Sequence, residues 1–368
     1  MKQEKKIYDA IVVGAGPSGC TAAHYLVAEN MDILPLDKSM FPRHKPCAGG
    51  ITMKTLKHLP IDIDHLVQHT AKKMKFSFDN KKTVSLQHNT GSCVMVIRDE
   101  FDNFFFEETL KKKVGFKKIN KVSSIDKKED FLELDIDGQR YFTKFLIGAD
   151  GANSNIRKLT ENTRHNHPVS AYEGIVDMES KDEAVTEFIF NDSGYAWIFP
   201  KSDHLNVGIG NLISNDRTKK RNKDDLYDFV RERFNGKDIK NITAFPIGTE
   251  GIKYRSRDNI FLVGDSAGLA ETLLGEGIYN AVLSGKYAAK SIIEACAKKS
   301  DANEIYNKFL EKLTTELSIY QKGSKLLYGF PRISYYAMKL WLGEKFMKGY
   351  SEGKSLSEII GKQKSVIN

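Results

Sequence analysis

The chain has 368 residues, of which 40% are hydrophobic and 28% charged, with 56 Lys and Arg against 48 Asp and Glu for a formal charge of +8. That balance excludes a disordered or fibrous chain and suits a core shared by two or three interleaved regions. The excess charge is read as a lysine-rich composition, with an acidic membrane surface or an acidic protein partner as the open alternatives, and no nucleic-acid partner is expected.

The first six residues lead directly into a strand, leaving no room for a signal peptide. No apolar run reaches the roughly 18 residues needed to span a bilayer. A cytoplasmic protein is expected, with peripheral contact at the inner face of a membrane as an open alternative. The β-branched run at residues 7–13 predicts a buried parallel strand, and residues 20–26 a helix. Between them lies Gly14-Ala15-Gly16-Pro17-Ser18-Gly19. In this strand–turn–helix setting Gly14 permits the turn, Gly16 admits a pyrophosphate and Gly19 lets helix and strand pack closely. Asp37 ends the second strand, at residues 32–36, at the spacing expected of an acid that binds a ribose. The four cysteines, Cys20, Cys47, Cys93 and Cys296, lack Cys-x-x-Cys spacing, so neither a disulfide scaffold nor a metal site is expected.

Alternating segments at 73–78, 83–86, 184–190 and 205–210 predict antiparallel strands of a second sheet. Helices are predicted at 98–113, 224–234 and 277–297. The strand at 145–147 runs into Gly148-Ala149-Asp150-Gly151, whose acid orders a turn, and Arg157 is left open between a cofactor phosphate and a neighbouring acid. The strand at 259–263 delivers Gly264-Asp265 at its C-terminal end, where such sheets bind ligands. The last seventy or so residues read as helices broken at Gly329-Phe330-Pro331. There Leu326, Leu327, Tyr328, Phe330, Tyr335, Tyr336, Met338, Leu340, Trp341 and Leu342 stand among Lys325, Lys339, Lys345 and Lys348. These are expected to cover a core or pocket with the lysines as its rim, a membrane interface being the alternative.

Four segments then carry a likeness: Phe41-Pro42-Arg43-His44-Lys45-Pro46-Cys47-Ala48-Gly49-Gly50, residues 148–154, Gly264-Asp265, and Tyr195-Ala196-Trp197-Ile198-Phe199-Pro200-Lys201. Over residues 7–290 the chain resembles the geranylgeranyl reductase family of flavoproteins, digeranylgeranylglycerophospholipid reductases included, within the para-hydroxybenzoate hydroxylase-like superfamily. The resemblance implies an α/β fold: a Rossmann-like FAD-binding domain (1–72, 98–157, 256–296) interleaved with an antiparallel-sheet substrate domain (73–97, 158–255), plus a helical region at 297–368. It implies FAD held by Gly14, Ala15, Gly16, Gly19, Asp37, Lys45, Cys47, Ala48, Gly50, Arg98, Val122, Asp265, Gly277 and Ile278. Cys47 reads as a small neighbour of the flavin or as a redox thiol. Arg98 reads as a cofactor ligand or as one half of a surface ion pair with Asp102.

Tyr195, Trp197 and Phe199 alternate on one strand and so share a face, read as the apolar wall of a substrate cavity or as sandwich core. Lys201 is read as meeting a phosphate or headgroup at the mouth, or solvent. The expected activity is reduction of isolated C=C bonds in a polyprenyl lipid or prenyl diphosphate, with electrons from NAD(P)H or ferredoxin; the catalytic residues stay open, Tyr195 and Cys47 being weak candidates. The rival readings are an FAD-dependent monooxygenase or halogenase of the same fold, and a prenyl carrier without catalysis.

Overall fold

The computed structural model describes residues 5–78, 82–111, 114–161, 169–178, 185–191, 194–212, 221–249 and 251–361. Ile7–Val13 forms the middle of a seven-stranded sheet because both of its faces are covered, which a β-branched run tolerates. Ile33–Asp37 and Gln139–Gly148 flank it in parallel, and Ile260–Leu262 extends the parallel set along the C-terminal half of Gln139–Gly148. Val122–Lys127 and Leu132–Ile136 pair antiparallel on the other half. Helices Pro17–Ala28 and Ile278–Lys298 close on this sheet through small buried residues, among them Ala22, Ala23, Ala288 and Ala289. The parallel strands therefore end together, and their C-terminal ends carry Gly14, Asp37, Gly148 and, two residues on, Gly264.

The second sheet runs in the order Lys240–Pro246, Ser170–Asp177, His204–Asn211, Gly194–Pro200, Thr186–Phe190, Lys73–Phe78, Lys82–Gln87. It is antiparallel except where Thr186–Phe190 meets Lys73–Phe78 in parallel. That pair joins segments separated in sequence by several strands of the first sheet, a connection long enough for a parallel crossover. Both faces are apolar: Phe188, Phe190, Tyr195, Trp197 and Phe199 form one cluster, while Ile189, Ala196, Ile198, Val207 and Ile209 pack with Leu226 and Val230 of helix Lys223–Arg233. A three-stranded sheet, Gly50–Thr52, Cys93–Met95 and His69–Thr70, sits between the two large ones.

The tail is helical over Ala302–Gly329, Pro331–Ala337 and Gly343–Ser351, with a π turn at Met338–Leu342 and a last helix at Leu356–Ile359. The predicted break falls at Phe330. The tail does more than cap the second sheet: Tyr306, Leu310 and Leu313 belong to the first core, Tyr328, Tyr335 and Met347 to the second. Among the described residues, no helix is long and apolar enough to cross a membrane. The predicted strand position Ala184 and residues 1–4 and 362–368 lie outside the described residues.

Candidate functional site

One elongated cavity of about 680 Å³ runs between the two large sheets, and its first end is the turn after Ile7–Val13. Gly14 has φ +107°, and a Cβ there would lie 2.2 Å from the Ala149 carbonyl oxygen; a Cβ on Gly19 would lie 1.8 Å from that of Gly14. Gly16 differs: its added Cβ would meet only the Arg43 guanidinium, at 3.5 Å. Two of these glycines thus fix backbone against backbone, and the third leaves an open approach. Helix Pro17–Ala28 begins there with no side-chain cap and no acid in its first turn, so its N–H groups face the cavity as an uncompensated positive end. The Asp37 carboxylate, at the cavity wall, accepts the Ala15 N–H at 2.7 Å and the Ser39 N–H at 2.8 Å. Nearby, Asp150 orders its turn by accepting from the Ser154 hydroxyl and the Asn155 and Ile156 N–H groups, while the Asn155 side chain donates to the Val122 carbonyl at 2.6 Å. Arg157 donates to the Ser266 carbonyl at 3.3 Å.

At the opposite end Asp265 and the start of helix Ile278–Lys298 line the cavity, and a Cβ on Gly277 would lie 3.1 Å from Asp265 Oδ1. This helix too lacks a side-chain cap and an acid in its first turn. The turn before it is braced from below. Glu271 accepts the N–H groups of Leu273, Leu274 and Glu276 at 2.5, 2.8 and 2.9 Å. Glu276 pairs with the buried Lys54 at 2.6 Å, and Lys54 donates to the Tyr320 hydroxyl of the tail at 3.2 Å. Burial opposes the Lys54 charge, but the Glu276 carboxylate more than offsets it and holds the ammonium above its ordinary pKa.

The loop at residues 41–50 bridges the two ends. The Cys47 N–H donates to Glu173 Oε1 at 2.7 Å, and Lys201 Nζ donates to the Ala48 carbonyl at 2.7 Å. Lys45 lies over the Phe245 ring, 3.0 Å from its centroid. Burial pushes both lysines down to about 8, the Arg98 charge adding to the effect at Lys45. Arg98 pairs with Asp102 through two hydrogen bonds at 2.9 and 3.0 Å, and Arg43 reaches the same carboxylate at 3.2 Å. The ion pair with Asp102, which the sequence offered as the alternative to a cofactor contact, does form but is buried, and Arg98 stands at the cavity wall.

Beyond the loop stands the aromatic face of the second sheet. Phe188 lies 5.4 Å from Tyr195 and 5.2 Å from Phe199, and Tyr195 5.8 Å from Trp197, by ring centroids. All four line the cavity, so this face is both core and wall. The Trp197 ring lies across Gly208, where any Cβ would come within 2.1 Å of it, and its Nε1 donates to Asn206 Oδ1 at 2.7 Å. The Tyr195 hydroxyl is committed to the Leu274 carbonyl at 2.5 Å, and burial raises its pKa, which weakens it as an acid.

Every residue expected to hold the cofactor lines this cavity except Ala15 and Gly19, which shape the turn from behind. Lys201 departs from the expectation of a place at the mouth: it is only 4% exposed and turned inward onto the loop. Sequence reasoning missed Glu173. It stands on Ser170–Asp177 opposite Gly208, which is opposite Trp197, so it shares the aromatic face, and burial raises its pKa. The available signal was a lone acid between Ala171 and Ile175 on the alternating face of that strand.

A family model described as FAD binding domain matches residues 7–304. The chain is 29% identical to digeranylgeranylglycerophospholipid reductase 2 of Methanosphaera stadtmanae, over 87% of each protein. It is 28% identical to geranylgeranyl diphosphate reductase of Synechocystis, over 77% of this chain and 74% of that one. Among solved structures it resembles a geranylgeranyl bacteriochlorophyll reductase-like protein of Thermoplasma acidophilum, with TM-score 0.68 and 21% identity over 97% and 96% of the two chains. The flavin-dependent brominase Bmp2 shares the fold at TM-score 0.74 with 16% identity, over 95% and 94%.

Proposed function

The chain belongs to the FAD binding domain family and is an FAD-dependent oxidoreductase; from that premise we propose that it reduces isolated C=C bonds in the polyprenyl group of a lipid or prenyl diphosphate. The observation that carries the reading is the aromatic wall of Phe188, Tyr195, Trp197 and Phe199 in the same cavity as two uncapped helix N-termini. An isoprenoid chain offers a protein little beyond apolar area, worth about 25 cal/mol per Å² buried, and such a wall supplies it without demanding polar partners.

The residues fit the cofactor. The open approach at Gly16 and the helix start behind it would take the pyrophosphate, Asp37 the ribose, and Asp265 the ribityl chain. The N–H groups at Gly277 and Ile278 would meet the far end of the ring, where a helix N-terminus favours negative charge. When bound and reduced, FAD supplies the hydride that an unactivated alkene requires. The protein holds the alkene against the wall and excludes water. For the proton we choose Glu173 over Tyr195 and Cys47. Its carboxyl faces the cavity beside Trp197, and burial keeps it protonated to a higher pH than a solvated glutamate, whereas the Tyr195 hydroxyl is already bonded to Leu274. An external electron donor must reduce the flavin between turnovers, NAD(P)H and ferredoxin being the two classes to assay. A prenyl lipid substrate would bring the protein to a membrane surface.

Mass spectrometry of prenyl lipids incubated with the reduced holoprotein tests the reading. Gains of two mass units per step are expected. Incorporation of oxygen or halogen would point to the monooxygenase or halogenase chemistry of the wider fold, and an unchanged lipid on yellow, reducible protein would point to a carrier.

A further inference from the structure

The tail helices bury one face against the second sheet and leave the other uncovered. Of the nine large hydrophobic side chains exposed among the described residues, six lie here: Leu326, Phe330, Ile333, Tyr336, Leu340 and Trp341. From Leu326 to Leu340 their intervals are four, three, three and four residues, and the exposed stripe they form is carried across the break at Phe330 by two successive helices. The π turn at Met338–Leu342 carries Leu340 and Trp341, 74% and 62% exposed, at the far end of that stripe. The sequence-based expectation that these residues cover a core or pocket therefore holds, as core, only for their buried partners, such as Tyr328 and Tyr335.

The charge along the stripe is mostly positive, the exposed Glu344 standing just past its far end. Residues 318–343 contain Lys322, Lys325, Arg332 and Lys339, all exposed, and no Asp or Glu. Aromatic and aliphatic side chains fringed by lysine and arginine match the headgroup boundary of a bilayer, whereas the core of a protein interface is depleted in lysine. A second copy docking this face on itself would set the same four cations against each other. We propose that this stripe is a membrane-docking face that seats the protein on an anionic lipid bilayer.

The proposal deepens the reading of a prenyl-lipid substrate and rests on it for its purpose. The same helices join the docking face to the cavity wall. The Tyr328 ring lies tilted 6.1 Å from Phe190 and Tyr335 edge-on 5.8 Å from Phe78, within the cluster that includes Phe188, Tyr195, Trp197 and Phe199. One helix diameter, about 10 Å, thus separates the lipid-facing side chains from the aromatic cluster.

The chain has two tryptophans, and Trp197 is buried, so a change in emission on adding vesicles reports Trp341. With the FAD-loaded protein and phosphatidylglycerol–phosphatidylcholine vesicles at low salt, cosedimentation and a blue shift are expected. Binding should weaken at least about tenfold on pure phosphatidylcholine or in high salt. A Phe330→Ser/Leu340→Ser double variant should bind at least about tenfold more weakly while keeping its melting temperature and yellow colour. No cosedimentation at low salt, binding untouched by the double variant, or a dimer that buries Trp341 and ignores vesicles would each overturn the proposal. Turnover of a detergent-dispersed prenyl lipid separates the two ideas: its absence with vesicle binding intact sinks the reductase reading and leaves the docking face, whereas turnover without vesicle binding does the reverse.

Discussion

The glycine turn at Gly14–Gly19 and the aromatic face behind Cys47 are walls of one cavity, held by opposite means. At the turn, backbone meets backbone, and no side chain fits between Gly14 and Ala149 or between Gly19 and Gly14. At the sheet, side chains make the contacts: Glu173 accepts the Cys47 N–H, Lys201 donates to the Ala48 carbonyl, and Trp197 donates to Asn206 on the neighbouring strand. At Gly14 and Gly19 the first wall dictates residue identity through geometry alone and leaves no room for a side chain. The second dictates size and polarity, so its substitutions should alter chemistry before they alter folding.

That contrast breaks most sharply at Gly19. Gly19→Ala should cost roughly 4 kcal/mol or more and abolish retention of FAD, because the clash is with backbone that cannot yield; Gly16→Ala should melt as the parent does and lose only flavin affinity. Thermal melts and flavin absorbance of the purified variants check both. On the sheet side, Trp197→Ala should cost about 3 kcal/mol in denaturant melts and lower lipid turnover at least tenfold, yet leave the protein yellow. Unchanged turnover would make the wall mere core.

Lys201 offers a pH test. With its folded pKa near 8 against an ordinary 10.5, the unfolded chain holds the extra proton between those values. Stability contributed by this group is therefore complete above 10.5 and lost as pH falls through 8. Relative to Lys201→Met, the parent should gain on the order of 2 kcal/mol as pH rises through that window. The smallest effect on stability belongs to Glu173→Gln, which should leave FAD and melting unchanged while lowering turnover about a hundredfold and flattening the alkaline decline of the pH–rate profile. A profile identical to the parent's would remove Glu173 as proton donor.

The nucleotide end was legible because its constraints are local: the strand, the three glycines and Asp37 fall within about thirty residues, and each type has one physical reason to be there. Asp265 was legible from the apolar strand that delivers it. Glu173 and Lys201 were not, since their partners lie 126 and 153 positions away and a lone charge in an apolar strand names no partner. The parallel pairing of Lys73–Phe78 with Thr186–Phe190 was hidden for the same reason: alternation gives a strand its face but not its neighbour. In the tail, the exposed stripe was obscured because buried aromatics from the opposite face interleave with it in sequence, and the break at Phe330 and the π turn shift the helical phase.

Lys54 joins elements that otherwise have no reason to open together. Its ammonium bonds Glu276, just before the second helix start at the cavity, and Tyr320, midway along the tail. Pulling the tail away would strand a buried cation–carboxylate pair without its phenol partner, so local unfolding of the tail and loosening of that turn should form a single cooperative event. Amide protons in the two segments would then exchange with solvent at matched rates, and a lipid that steadies the tail would slow exchange at the flavin end as well.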